Sequence, residues 1–588
     1  MNLPKFWRYQ ALGLAFVFFG IMLIGQIYRI QHNVQAQALI EKNQIYLGEE
    51  RTVQPVRGQV YDRSGNLLAG NQTVYQVGVE LKLVKNPETI ALALNVVLGL
   101  DYAEMLDLVS LPATDQRVYR VVQDFVSADK VQQLRQFAEQ IEAENEQGLW
   151  TERETPPSLR GLVYSPHLQR HYPEKDLAAN LIGFANRESQ GHFGIEEKYQ
   201  DLLYGTPQKV WFANDPNLVN VKSAIPAGAS IILTIDREIQ LMVEEILDAA
   251  VINTGSESGT VIVMQPETGE ILAMATTPRI DLNEYWNYGA VYPAGTPFNR
   301  AVSQTYEPGS VFKVLTMAAA LDSGTVKPDT PFLDTGVFEI GGIYIRNWNG
   351  GAWGPQDMTG CMRHSLNVCL AWIATELGPT RFYDYMRAFG IGHLTGIDLA
   401  AEAAGRLKIP GDADWYEADL ATNSFGQGVS TTPIQMIAAV AAVANDGKMP
   451  VPHVLKAVID RGRQYDTNPQ IYGAPISAET AHTLTEMLAI SLEEESSAAL
   501  VPGYRVAGKT GTAQIPTPNG YTLSQTNASF VGWGPVDNPQ FIVYVWLEKP
   551  STDIWGSVVA APVFSQIVQR LVVLMQIPPD EVRVASGQ

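Results

Sequence analysis

The feature that most limits how this chain can fold is an apolar run close to its N-terminus. Residues 11–27 read ALGLAFVFFGIMLIGQI, in which Gln26 is the only polar side chain. Extending the run to Ile30 gives about 20 residues, the length that an α-helix needs to cross a bilayer. The sequence therefore predicts a membrane-spanning helix over residues 11–30.

The flanks of this run indicate its orientation. Lys5 and Arg8 precede it, and basic residues favour the cytoplasmic side. A cleaved signal peptide is the alternative, because Ala36-Gln37-Ala38 resembles a cleavage site, but that site lies well past the apolar run. We expect an uncleaved single-pass anchor in the cytoplasmic membrane, with residues 1–10 as a cytoplasmic tail and the chain after residue 30 outside.

Size and charge restrict the remaining possibilities. The chain has 588 residues, several times the usual domain size, so at least two folded units are expected beside the anchor. The formal net charge of -21 argues against nucleic acid as a partner, because the averaged field repels phosphates.

The chain has two cysteines, Cys361 and Cys369. They are too few for a disulfide framework in a protein of this size. On one continuous helix they would be separated by roughly 12 Å, at 1.5 Å per residue, which is beyond disulfide reach. We expect two buried thiols.

A domain boundary is expected near residue 229. Residues 31–228 mix short strand-like runs with helical patterns, and they end in a passage punctuated by proline and glycine, PNLVNVKSAIPAGAS. Residues 237–251 then have helical periodicity, 259–264 and 270–275 read as a hairpin, 528–533 and 540–547 read as a second strand pair, and 563–576 read as a closing helix. This order predicts an α+β sheet domain over 229–588.

Three short motifs carry the residues that can do chemistry. They are Ser310-Val311-Phe312-Lys313, Ser365-Leu366-Asn367 and Lys509-Thr510-Gly511. Each of the first two arises about once by chance in a chain of this length and composition, so neither is specific alone.

The first motif pairs a hydroxyl with an amine. Pro308-Gly309 cannot readily continue a helix, so Ser310 is expected at a helix N-terminus with Lys313 on the same face. A lysine can activate a serine if burial or another cation lowers its pKa. Lys509 could supply that cation while remaining charged to bind a carboxylate; the alternative for Lys313 is an exposed helix lysine.

The other two motifs can position a substrate. Ser365 and Asn367 could relay a proton and hold an amide; the alternative is a capping serine followed by a turn asparagine, which is a common arrangement. Gly511 would let a peptide lie close to a strand edge, and the hydroxyls of Thr510 and Thr512 could bind a carboxylate. The backbone N–H groups of Ser310 and Thr512 are candidates for an oxyanion hole.

The ordered set SxxK, SxN, KTG resembles the active site of the penicillin-recognising serine acyltransferases. The surrounding sequence makes the resemblance to penicillin-binding proteins much more specific. The segments that carry it are Arg57–Arg63 with Gly65, Arg170–Pro173, Gly194–Glu197, Asn299–Ala301, Tyr306–Ser310, Phe425–Gly428, Thr432-Pro433 and Ala560–Phe564. The first three resemble the non-catalytic pedestal of class B members, and no glycosyltransferase motif is found before residue 229.

The resemblance implies a fold and an activity. The fold is a pedestal, or dimerisation-type domain, over 31–228 and an α+β transpeptidase domain of antiparallel sheet flanked by helices over 229–588. The activity is peptidoglycan D,D-transpeptidation in cell-wall synthesis, inhibited by β-lactams and needing no metal or organic cofactor. The sequence YEPGS, which ends at Ser310, resembles that of the septal enzymes of cell division more than that of the elongation enzymes that set cell shape.

The resemblance also implies roles and partners. Ser310 is the nucleophile and Lys313 the base; Ser365 and Asn367 shuttle the proton and position the peptide; Lys509, Thr510, Gly511 and Thr512 hold the terminal carboxylate. The partners are a donor stem peptide ending in D-Ala-D-Ala, an acceptor amine from a neighbouring stem, and a polytopic glycan polymerase in the membrane. The adjoining His364 is expected to be structural.

Two other functions use the same acylation. A D,D-carboxypeptidase or β-lactamase-like hydrolase would release the acyl group to water, but a class A β-lactamase carries SDN where this chain has Leu366, and no matching glutamate motif is found between Asn367 and Lys509. A non-catalytic β-lactam sensor or scaffold would need an intracellular output domain, for which the ten residues before the anchor leave little room.

Overall fold

The computed structural model describes residues 6–32, 48–114, 118–150, 155–213, 225–517 and 520–586. The chain forms two compact units. One comprises residues 1–56 and 205–228, and the other comprises residues 57–204 and 229–588. The predicted cleavage-like segment at residues 36–38 lies outside the described residues.

The structure has strands in both units. In chain order they are β1 (Gly48–Val53), β2 (Val60–Tyr61), β3 (Leu67–Glu80), β4 (Tyr119–Ser127), β5 (Leu162–His171), β6 (Phe184–Ala185), β7 (Gly191–His192), β8 (Gln208–Ala213), β9 (Ser230–Leu233), β10 (Ser258–Met264), β11 (Ile271–Thr276), β12 (Phe332–Asp334), β13 (Val337–Ile340), β14 (Ile343–Arg346), β15 (Gly354–Gln356), β16 (Met449–Pro450), β17 (Leu455–Asp460), β18 (Arg463–Asp466), β19 (Ile471–Gly473), β20 (Ala507–Thr517), β21 (Gly520–Gly534) and β22 (Phe541–Glu548).

Helices connect and cover these strands. In chain order they are α1 (Phe6–Gln31), α2 (Pro87–Leu98), α3 (Tyr102–Val109), α4 (Ala128–Glu146), α5 (Ala179–Ile182), α6 (Gly194–Lys198), α7 (Gln200–Tyr204), α8 (Arg237–Thr254), α9 (Tyr288–Val291), α10 (Arg300–Ser303), α11 (Lys313–Asp322), α12 (Met358–Arg363), α13 (Asn367–Leu377), α14 (Pro379–Ala388), α15 (Glu417–Asn423), α16 (Pro433–Ala441), α17 (Ala478–Glu494), α18 (Gly556–Val559), α19 (Ala561–Leu574) and α20 (Asp580–Ser586). Short 3₁₀ turns occur at Leu81–Leu83, Leu282–Asn287 and Gly309–Phe312.

The first unit contains the predicted anchor. The apolar run is a helix of 26 residues, α1, whose most apolar 18-residue stretch has a mean hydropathy of 2.1 and which has no residue buried within the structure. A helix of this length rises about 39 Å at 1.5 Å per residue, which is enough to span a bilayer. Among the described residues, Gly556–Leu574, which comprises α18 and α19, is also long and apolar enough to span, but 56% of its most apolar 18-residue stretch is buried, so it belongs to the protein core. In the same unit, β1 pairs with β8 in antiparallel register.

A five-stranded sheet forms the centre of the second unit. Its strand order is β11-β10-β22-β21-β20, and all neighbours are antiparallel. The strand pairs and both helices predicted from the sequence for this sheet are confirmed, and α8 extends to Thr254. Alternate residues of β10 face opposite cores: Val261 and Val263 pack in the cluster that contains α8 and α19, whereas Ile262 and Met264 pack in the cluster that contains α11 and α13. Burial of both faces explains why the last four residues of β10, Val261–Met264, are all apolar.

The segments before and after residue 229 share a second sheet. Its order is β18-β17-β9-β2-β3-β4, with β5 also paired to β3, and β2 runs parallel to β9. Strands from before residue 172 and after residue 229 are therefore hydrogen-bonded neighbours. A separate apolar core lies under α2, α3 and α4.

A buried ion cluster joins the three pedestal motifs noted in the sequence. Arg57 Nε donates to Glu196 Oε2 at 2.7 Å, and Arg170 Nε donates to Glu196 Oε1 at 2.6 Å. All three side chains are buried. Burial alone would raise the pKa of Glu196, but the charges of Arg170 and Arg57 outweigh it and hold the pKa below its usual value. The cluster ties residues from three distant parts of the chain to one point.

Candidate active site

Ser310 lies in a 3₁₀ turn, Gly309–Phe312, that leads into α11. The sequence predicts Ser310 at a helix N-terminus; in the structure the 3₁₀ turn occupies that position, and the first α-helical residue is Lys313. Gly309 has φ +59°, and a Cβ there would lie 2.8 Å from the Cβ of Ala513 on β20. Glycine at this position thus allows the serine turn to lie directly against the strand that carries the third motif.

Lys313 is fully buried beneath this turn. Its Nζ donates to the Ser365 carbonyl at 2.7 Å, to Ser365 Oγ at 3.2 Å and to Asn367 Oδ1 at 2.7 Å. Burial, followed by the charge of Lys509, holds the pKa of Lys313 well below its ordinary value. An exposed helix lysine, the alternative left open by the sequence, does not describe this residue.

Lys509 lies on β20 and is only 4% exposed. Its Nζ donates to the carbonyl and the Oγ1 of Thr510, both at 3.3 Å. Burial lowers the pKa of Lys509 to about 8, against the opposing effect of the Glu495 carboxylate. The charge of Lys509 thus disfavours the charged form of Lys313, whereas the Glu495 carboxylate favours the charged form of Lys509.

The second motif occupies a tight reversal between α12 and α13. Ser365 has φ +53°, a left-handed conformation that a residue with a Cβ adopts only when its surroundings enforce it. Asn367 begins α13, accepts from Lys313 and donates through Nδ2 to the Arg346 carbonyl at 3.1 Å. These contacts exceed those expected of a simple capping serine and turn asparagine.

The third motif lies on β20, the last strand in the order of its sheet. Thr510 and Thr512 point to the same side because side chains alternate along a strand. A Cβ on Gly511 would lie 2.3 Å from Ser529 Oγ and 2.9 Å from Val311 Cγ1, so glycine is required for β20 to lie against both β21 and the serine turn. Thr512 Oγ1 accepts from the Gly556 N–H at 2.9 Å.

The three motifs meet at one cleft of about 290 Å³. Ser310, Ser365, Asn367, Thr510 and Thr512 line it, while Lys313, Lys509 and Gly511 are buried beside it. The structure thus brings together all the site residues that the sequence singled out. Hydroxyl and amide side chains thus line one cavity, and two buried amines lie beside it.

Several cleft residues were not found by sequence reasoning. Trp348 and Trp555 form an edge-on aromatic pair, with ring centroids 5.2 Å apart, at the cleft wall. Glu495 follows α17, its carboxylate is 3.6 Å from His364 Nδ1, and its charge opposes the fall in the pKa of Lys509. No short motif contains these residues, and only the tertiary fold brings them to the site.

Two residues near the first and second motifs have structural contacts. His364 stacks on Trp353 with ring centroids 3.9 Å apart, and burial followed by the charge of Arg363 lowers its pKa. Glu307, just before the serine turn, accepts from the Gly428 N–H at 3.1 Å and from Tyr521 Oη at 2.9 Å. The Glu307 contacts connect the base of the serine turn to β21.

The expectation of two free thiols is wrong. Cys361 and Cys369 form a disulfide with a Cα–Cα distance of 6.1 Å. The argument against it assumed one continuous helix, whereas α12 ends at Arg363 and the chain reverses at Ser365 before α13 begins. Both cysteines are buried, as expected.

Comparison with known proteins agrees with this geometry. Residues 259–569 match the penicillin-binding protein transpeptidase domain, and residues 52–217 match the penicillin-binding protein dimerisation domain. Stage V sporulation protein D of Bacillus subtilis is 32% identical over 88% of this chain and 78% of its own length. The peptidoglycan D,D-transpeptidase FtsI homolog of Mesostigma viride is 28% identical over 99% of this chain and 98% of its own length.

A solved structure has the same fold. Penicillin-binding protein 3 of Mycobacterium tuberculosis, in complex with aztreonam, superposes with a TM-score of 0.67 at 25% identity, covering 90% of this chain and 98% of that one. The resemblance drawn from the motifs is therefore confirmed over nearly the whole chain. This chain belongs to the penicillin-binding protein transpeptidase family, as a class B member in which a dimerisation domain precedes the transpeptidase domain.

Proposed function

We propose that Ser310 is the nucleophile with which this chain, a peptidoglycan D,D-transpeptidase, forms its acyl-enzyme. Ser310 Oγ attacks the penultimate D-Ala carbonyl of a donor stem peptide, and the amide bond to the terminal D-Ala breaks. The serine proton passes to the departing amine. An amine from a neighbouring stem then attacks the ester, a new amide forms and Ser310 regains its proton.

Lys313 is the proposed general base. Its burial supports this role, because a desolvated amine beside a second cation gives up its proton more readily than an exposed lysine and can then take the Ser310 proton. The contacts to Ser365 and Asn367 fix the amine, and the Ser365 hydroxyl can pass the proton towards the leaving group.

Lys509, Thr510, Gly511 and Thr512 are the proposed substrate-binding residues. Lys509 supplies a positive charge, the two threonine hydroxyls bind the terminal carboxylate, and β20 offers an edge along which an extended stem peptide can pair. The backbone N–H groups of Ser310 and Thr512 are the proposed donors to the oxyanion.

The observation that carries the proposal is the buried Lys313 amine, which is hydrogen-bonded to the side chains of Ser365 and Asn367. This amine lies beside a cleft that residues of all three motifs line. Intact-mass spectrometry of the detergent-solubilised full chain mixed with a penicillin tests it. We expect a long-lived adduct on the wild type and on Ser557→Ala, which alters a cleft serine outside the motifs, and none on Ser310→Ala.

Two other outcomes would count against this proposal. An adduct that disappears quickly while the antibiotic is destroyed would indicate a hydrolase. An adduct that persists on Ser310→Ala would assign the nucleophile to another residue. Cross-linking itself is then measured with a donor stem peptide and an acceptor amine.

The surroundings of the enzyme follow from the same proposal. The exposed apolar helix α1 supports a single-pass anchor in the cytoplasmic membrane, with the N-terminus cytoplasmic and residues 31–588 outside as pedestal and catalytic domain. A polytopic glycan polymerase is the proposed membrane partner, and cell division is the proposed setting. Labelling of single cysteines, introduced into a Cys361→Ala/Cys369→Ala background on either side of α1, with a membrane-impermeant maleimide tests the orientation.

A further inference from the structure

The disulfide encloses the second catalytic motif. Cys361 lies on α12 and Cys369 on α13, so the covalent loop between them contains Ser365, Leu366 and Asn367. The two Cα atoms are 6.1 Å apart, and both cysteines are 0% exposed. The bond therefore links the two ends of the loop covalently, inside the protein core.

All three hydrogen-bond acceptors of the Lys313 amine lie inside this loop. They are the Ser365 carbonyl, Ser365 Oγ and Asn367 Oδ1, at 2.7, 3.2 and 2.7 Å. A change in the position of the loop would therefore alter every one of these contacts at once. The position of the loop therefore determines the direction of the Lys313 amine and its exposure to water.

The loop conformation needs external support. Ser365 has φ +53°, which is disfavoured for any residue with a Cβ. Two backbone hydrogen bonds hold the loop to the end of α12. The Ser365 N–H donates to the Met362 carbonyl at 3.2 Å, and the Leu366 N–H donates to the Cys361 carbonyl at 3.0 Å. The disulfide joins α12 to α13, and α13 packs against α11, the helix that begins with Lys313.

We infer that the Cys361–Cys369 disulfide positions Ser365 and Asn367 around Lys313, and that breaking it slows acylation of Ser310 without unfolding the domain. This inference rests on the proposed function of Ser310 and Lys313. The cysteines touch no substrate in this scheme; they act through the loop, as positioning residues.

The bond is opened by a dithiol. A thiolate of dithiothreitol attacks one sulfur, the S–S bond breaks to give a mixed disulfide, and the second thiol of the reagent releases it. Two cysteine thiols and one cyclic disulfide of the reagent result. Because both cysteines are buried, the attack requires a transient opening, and we expect reduction of the native protein to be slow.

The test measures acylation by a fluorescent penicillin on the detergent-solubilised full chain. The Cys361→Ala/Cys369→Ala variant is expected to react at least tenfold more slowly than the oxidised wild type, with a raised pH midpoint for the rise in rate, because a loosened loop exposes the Lys313 amine to water. Val568→Ala, a core truncation in the cluster on the opposite face of the central sheet, controls for lost stability: it should lower Tm and leave that midpoint unchanged.

A second measurement does not depend on the variant folding. Wild-type protein is reduced with dithiothreitol, its thiols are counted by alkylation and mass, and its acylation rate is measured before and after reoxidation. A rate that falls on reduction and recovers on reoxidation supports the inference. An acylating wild type whose rate and pH midpoint are the same with and without the bond would overturn the inference alone. A wild type that forms no Ser310 adduct would overturn the proposed function, and the inference with it.

Discussion

Lys313 Nζ donates to Asn367 Oδ1 at 2.7 Å, although 54 positions of sequence separate the two residues. The acceptor is a neutral amide, and the other two acceptors of the amine are a carbonyl and a hydroxyl. Oxygen atoms without charge satisfy the donors but return little of the energy that a buried ammonium loses on leaving water. The site thus fixes the direction of the amine while disfavouring its charged form.

Replacing this amine should remove the base. We expect Lys313→Met to lower the second-order rate constant of acylation by a penicillin about 10²- to 10⁴-fold, the usual contribution of a general base. Lys549→Met is the matched control, because Lys549 pairs with Glu257 at the protein surface, 2.8 Å away. Equal rates for the two variants would remove Lys313 from the mechanism.

The rate of reaction with stem peptide should be bell-shaped in pH. Activity rises as Lys313 loses its proton, at a pH well below the usual lysine range, and falls as Lys509 loses the charge that holds the substrate carboxylate, near pH 8. Because the Glu495 carboxylate raises the pKa of Lys509, Glu495→Gln should move the falling limb to lower pH. A falling limb that stays in place in this variant would contradict the assignment.

Gly511 should not tolerate a side chain. A Cβ there would lie 2.3 Å from Ser529 Oγ and 2.9 Å from Val311 Cγ1, so β20 must shift relative to the serine turn. We expect Gly511→Ala to slow acylation at least tenfold, since a misplacement of about 1 Å can cost about 10²-fold. Gly289→Ala, where a Cβ meets nothing within 4 Å, should react at the wild-type rate. Stopped-flow measurement of acylation by a penicillin checks both variants.

The buried ion cluster should be essential for stability. Glu196→Gln leaves Arg57 and Arg170 buried without their carboxylate, which we expect to lower the free energy of unfolding by about 3–5 kcal/mol. The neighbouring Glu197 is exposed, and Glu197→Gln keeps an oxygen that can accept from the Phe193 N–H. Thermal unfolding of both variants checks this, and similar Tm values would show that the cluster contributes little.

The parts of the site that could be predicted are those encoded in adjacent residues. Spacing placed Lys313 on the same face as Ser310, and the strand pairs read from the sequence predicted β10 and β22. Glu495 could not be found in this way, because its proximity to Lys509 arises only when α17 packs against β20. The disulfide was missed because a left-handed residue at Ser365 reverses the chain, and serine carries no local signal for that conformation.

The order of strands in the central sheet has a consequence for synthesis. β22, among the last strands to be made, lies between β10, one of the first of the catalytic segment, and β21. A growing chain therefore contains Ser310, Asn367 and Lys509 well before the strand that connects the two halves of the sheet. A chain that stops before Phe541 would carry all three motifs, yet β10 and β21 would lack the strand that hydrogen-bonds to both of them.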